Sequence, residues 1–190
     1  MLTAKVKGLA FRTTARVFEQ LKGVERQQQM FALLPPALRD DLMFGRLVAG
    51  GWYPIMDYRY LLAAIVQIEG PGLVKEIGAA AIHADLKLVH KVVLRMLNPS
   101  TIVTLGPSLF KRYYDTGTLR TEKPSRNNAR TRYEGCDGFD RNMWQETLGT
   151  TQEMLTLAGA KHVRVRISSG GGDGDSHCVT DIYWSDGGPE

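Results

Sequence analysis

Histidines, cysteines and close carboxylate pairs are the side chains of this 190-residue chain whose chemistry is worth testing first. His83 and His90 sit seven residues apart in a stretch that reads as one helix, so they share a face but lie roughly 10 Å apart along it. One metal ion does not bridge that gap, and Lys87 stands between them, so the pair reads as a solvated face. The GGGDGD segment carries Asp173 and Asp175 but lacks the closing glutamate and the further oxygens that calcium takes. It also precedes no helix, so it does not match a phosphate-binding glycine loop and reads as a mobile hairpin tip. Asp40 and Asp41 fall where a polar helix turn belongs, and no GxSxG elbow is present. Cys136 and Cys178 form no CxxC pair and fit a reducing compartment; both fall on candidate strands, and a disulfide between them stays open. The chain thus offers no catalytic constellation and no metal centre, and the reading is non-enzymatic.

Composition narrows the class further. Apolar residues make up 43% and charged residues 23%, the balance of a globular protein. No apolar run approaches the roughly 20 residues of a membrane span. Lys5, Lys7, Arg12 and Arg16 interrupt the N-terminal stretch, unlike the apolar core of a signal peptide, so a cytoplasmic location is expected. The net charge is +4, and the excess is concentrated between residues 111 and 132. Lys111, Arg112, Arg120, Lys123, Arg126, Arg130 and Arg132 there face only Asp115 and Glu122. Such a cluster is most often a solvated face and loop; the alternative is a nucleic-acid binder acting through Arg120, Arg126, Arg130 and Arg132.

The elements that must position these residues fall into two parts. Leu9, Ala10, Thr13, Val17 and Leu21 recur at helical spacing, with Gly23 placed to close the helix. Pro35-Pro36 separates a second helix from a third. Tyr58, Leu61, Leu62, Ile65 and Ile68 form a buried stripe that Gly70-Pro71 stops. Trp52 and Tyr53 precede that helix and are expected to cover its first turn as a core anchor, with pocket lining as the other reading. The longest helix runs from Gly72 to Leu97, with Leu73, Ile77, Ala81, Leu88, Val92 and Met96 inward, and Gly78 with Ala79 to Ala81 makes it narrow enough for a close neighbour. Residues 98 to 117 read as two short helices split at Gly106-Pro107. The pattern then changes: strands over TGTLRTEK and NARTRYEGC, a helix over 139–158, and alternating strands KHVRVRIS and HCVTDIYW around the glycine loop. In the last pair Val163, Val165 and Ile167 point one way and His162, Arg164 and Arg166 the other, with Ile182 and Trp184 inward and Asp181 pairing with Arg164 or Arg166.

This gives one α+β domain over 1–190: a helical cluster over 1–115, then a four-stranded antiparallel meander over 116–186 with the helix 139–158 inserted. The interior between helices and sheet is the candidate site. Trp52, Tyr58, Ile77, Ala81, Phe110, Tyr113 and Trp144 either line a cavity for a small apolar molecule or fill it.

The stretches VKGLAFRTTARVFEQLKG, YRYLLAAIVQIEGPGLVKEIGAAAIH and the helix-plus-hairpin end resemble the H-NOX-like superfamily, which includes haem nitric-oxide-binding domains, 4-vinyl reductase domains and TRAPP transport-complex subunits. WYP, LLAAI, NPS and YYDTGTL are similar to a large uncharacterised paralogous family of myxobacteria. The resemblance implies a sensor or signalling domain that pairs with itself or with a partner protein. Its haem-binding members place an axial histidine on the helix before the sheet, and TIVTLGPSLFKRYYDTG contains none. They clamp haem propionates with Tyr-x-Ser-x-Arg; here Tyr133 remains, but Gly135 and Asp137 replace the serine and arginine. The transport subunits bury a fatty acyl chain attached to a cysteine, and Cys136 and Cys178 fall on the C-terminal strands, so that chemistry does not carry over. The expectation is therefore a domain without haem, holding a small apolar ligand or acting as a homodimerising interaction adaptor.

Overall fold

The computed structural model describes residues 3–85 and 97–186; the readings placed on Lys87, Leu88, His90, Val92 and Met96 lie outside them. Helix α1 (Gly8–Lys22) buries Ala10, Phe11, Thr14, Val17 and Phe18 at helical spacing and ends at Gly23, whose φ of 89° suits a residue without a Cβ. Leu21, expected in the stripe, is exposed because the buried face runs through Phe18 instead. Helix α2 (Val24–Ala32) and helix α3 (Pro36–Met43) are divided at the prolines, and α3 begins on Pro36, where the missing N–H costs nothing.

Strand β1 (Lys5–Lys7) pairs antiparallel with strand β2 (Trp52–Pro54). That pairing corrects the reading of Trp52 as a core anchor. Neighbouring residues of a strand face opposite ways, so Tyr53 packs on Phe11, ring centroids 5.9 Å apart, while Trp52 remains 39% exposed with the Lys7 ammonium 3.8 Å from its ring centre. Helix α4 (Ile55–Glu69) follows with Ile55, Tyr58, Leu61, Leu62 and Ile65 fully buried.

Helix α5 (Gly72–Asp85) crosses helix α7 (Arg141–Leu157) at very close range. A Cβ on Gly78 would fall 2.1 Å from the Glu146 carbonyl oxygen, and one on Gly149 would fall 1.9 Å from that of Lys75. The Thr150 hydroxyl closes the crossing by donating to the Gly78 carbonyl at 3.1 Å. The neighbour implied by the narrow Gly78 segment is therefore α7.

Helix α6 (Pro99–Tyr113) is continuous, not split at Gly106-Pro107. Pro107 lacks the N–H that would bond to the Val103 carbonyl; Thr121 Oγ1 donates to that carbonyl at 3.2 Å, so the break is bridged from the sheet. Asn98 caps the helix by accepting from Thr101 N.

The sheet comprises β3 (Thr118–Ser125), β4 (Asn128–Glu134), β5 (Ala160–Gly170) and β6 (Cys178–Asp186), all antiparallel. Its order is β3-β4-β6-β5, which corrects the meander: the last strand inserts between β4 and β5. Val165, Ile182 and Trp184 point into the core as their alternation requires, but a bulge at His162 (φ 49°) leaves Val163 half-buried. Asp181 takes Arg130 of β4 as its partner at 2.7 Å, not Arg164 or Arg166. The glycine loop is tied down: Asp175 accepts from Gly172 N at 2.9 Å and Asp173 from Arg141 N at 3.0 Å, fastening the hairpin to the start of α7. Cys178 begins β6, whereas Cys136 lies past the end of β4; both thiols are free and buried.

Candidate interior site

The interior between helices and sheet is occupied by rings. Phe110 of α6, Tyr114 just after it, Tyr133 of β4, Phe139 just before α7 and Trp144 within it form a continuous cluster. Phe139 and Trp144 lie 4.5 Å apart between centroids, Tyr114 and Phe139 4.9 Å, Phe110 and Tyr133 5.4 Å, and Tyr133 and Trp144 5.5 Å. These are the separations of packed aromatic pairs, with no ring-sized gap between them. A depression of about 650 Å³ lies elsewhere, on the surface at the α1–α2 junction, lined by Lys22, Val24, Arg26 and Gln29.

Beside the rings sits a buried polar group contributed by three helices. Tyr58 of α4 donates its hydroxyl to Glu146 Oε1 of α7. Thr14 of α1 donates to the same oxygen at 3.3 Å and lies 2.8 Å from the Tyr58 hydroxyl. Phe11 packs edge-on to Tyr58 at 4.9 Å. Burial first, and the Glu146 charge second, push the Tyr58 and Tyr114 phenols well above the ordinary range; burial does the same to Tyr133. These phenols are therefore held neutral, and Tyr58 is the one seen donating, to Glu146. Trp144 Nε1 is buried with no hydrogen-bond partner among the described residues.

The residues proposed from the sequence as pocket lining separate accordingly in space. Phe110 and Trp144 lie in the ring cluster, Tyr58 in the polar group, and Ile77 in the adjoining core. Tyr113 and Ala81 are half-buried, and Trp52 lies at the surface. Arg120, Arg130 and Arg132 lie on the solvent side of the sheet and Arg126 in the turn between β3 and β4. Sequence reasoning passed over Thr14, Tyr114 and Glu146, and named Tyr133 only as the remnant of a propionate clamp, not as a buried member of the ring cluster. Alternation along NARTRYE could have flagged Tyr133; a glutamate two residues beyond Trp144 carries no sequence signal of burial.

No family model matches the chain, and no curated protein does. Solved structures do. An Fe(II) unliganded H-NOX protein from K. algicida superposes with a TM-score of 0.69 at 12% identity, covering 97% of this chain and 99% of that one. An H-NOX protein from S. oneidensis in the Fe(II)NO ligation state gives 0.67 at 14% identity, covering 95% and 99%. The fold is H-NOX-like.

Those structures contain iron, so the interior must be tested against haem. The described residues do not fit it. The described histidines are all exposed: His83 bonds Glu153 at 2.7 Å on the surface, and His162 and His177 lie on the β5–β6 hairpin. Rings of Phe110, Tyr114, Phe139 and Trp144 occupy the space beside the sheet. At the place of the propionate clamp, Tyr133 is buried in the ring cluster, Gly135 turns the chain with φ 65°, and Asp137 is exposed, presenting an anion where a carboxylate ligand needs a cation.

Proposed function

We propose that this chain is a non-enzymatic signalling domain that uses the H-NOX-like fold without haem and acts by pairing with protein. The observation that carries the reading is the ring cluster of Phe110, Tyr114, Tyr133, Phe139 and Trp144, which occupies the interior that a sensor would leave to its ligand. The close α5–α7 crossing at Gly78 and Gly149 leaves no room for a ligand to part those helices. A second reading, a sensor for a small apolar molecule with one hydrogen-bond acceptor, is favoured by Trp144 Nε1, a buried donor without a partner among the described residues. Native mass spectrometry of the purified protein separates the two. The polypeptide mass alone, as monomer or dimer, supports the interaction domain. An added mass of small-molecule size, retained stoichiometrically, overturns it in favour of the sensor.

A further inference from the structure

The solvent side of the sheet collects arginines that the sequence scatters over three strands. Arg120 of β3, Arg130 and Arg132 of β4, and Arg164 and Arg166 of β5 all lie on it, since the alternate positions Leu119, Ala129, Thr131 and Val165 turn inward. In register across the strands, one row reads Glu122, Arg130, Asp181, Arg166. Arg130 is bonded to Asp181 at 2.7 Å and Arg132 to Glu122 at 2.9 Å, so those two charges are matched within the face. Arg120, Arg164 and Arg166 form no ion pair among the described residues. Tyr183 stands beside them, aligned with Arg164 and 49% exposed, and Glu134 lies at the far end opposite Thr118.

We propose that this face docks an acidic segment of a partner protein, with Arg164, Arg166 and Tyr183 as its anchors. The proposal rests on the reading of the chain as an interaction domain and names its partner by chemistry. Arginine and tyrosine are the side chains on which interface energy concentrates, and three guanidinium groups without an ion pair among the described residues call for carboxylates. Arg164 and Arg166 are two strand residues apart, a spacing of about 7 Å that alternate acidic residues of an extended segment match. The carboxylates of Glu122 and Asp181 alternate with arginines across the sheet, so an unbroken phosphate chain would run over them, whereas discrete carboxylates can be placed to avoid them.

The test is a fluorescence-anisotropy titration of the whole chain with a short labelled peptide of alternating glutamate and serine, set against a labelled oligothymidylate of similar length. Saturable peptide binding, weakened about tenfold by the double reversal Arg164→Glu/Arg166→Glu, is expected. Both positions are exposed, and an unchanged melting curve shows that the variant is folded. Absent saturation, or equal affinity in the variant, overturns the proposal; tighter binding of the oligonucleotide overturns it in favour of nucleic acid. The titration reads the sheet face alone, so its failure is distinguishable from a retained ligand in the mass spectrum, which bears on the interior.

Discussion

Glu146 shows how far a residue can depart from what its type announces. It sits on a helix between polar neighbours, yet it is buried and bonded to Tyr58 and Thr14 from two other helices. Burying a carboxylate is unfavourable unless donors meet it, and both donors are separated from it by 88 and 132 residues of sequence, a relation periodicity does not report. Trp52 errs the other way, since an aromatic beside a helix start suggested core while strand alternation turned it out to Lys7. The thiols give a pH prediction. Burial first pushes Cys136 and Cys178 from an ordinary 9.0 up to about 12, and burial raises Tyr58 and Tyr114 as well. The folded chain keeps protons that the unfolded chain releases, so stability is full below pH 9 and falls as pH rises toward 12. Thermal melts across this range should show a flat plateau and then a steady alkaline decline; a melting temperature that rises above pH 9 contradicts this picture.

Elements were legible where local rules govern. The helix ends at Gly23 and Gly70, the division at Pro35-Pro36, and four strands in the last third all follow from turn chemistry and period. What was hidden depended on partners distant in sequence. Pro107 does not split α6, because Thr121 of β3 supplies the missing hydrogen bond, and strand order depends on β6 inserting beside β4. The small residues at Gly78 did announce a close neighbour, but not that Gly149 answers them from α7. Gly149→Ala should force the two backbones apart, costing about 1–3 kcal/mol and lowering the melting temperature by roughly 3–10 °C. An unchanged melt would mean that the two helices have room to spare at their crossing.

At the scale of the molecule, the fold is shared with iron-containing H-NOX structures at 12–14% identity, while the histidines among the described residues of this chain are all exposed. An architecture can persist while its inner side chains are replaced, because shape is set by element order and packing whereas a ligand depends on a few specific groups. Here the departures at Gly135 and Asp137 were readable from the sequence, but the ring cluster that closes the interior needed α6, β4 and α7 to be brought together. No described helix is long and apolar enough to cross a membrane. The central claim, that side chains occupy the space a cofactor would need, is tested most directly by titrating the purified protein with haemin and following the Soret band. The account predicts no saturable shift, only the spectrum of free haemin added to protein. A sharp Soret band reaching its end-point at one equivalent would contradict it.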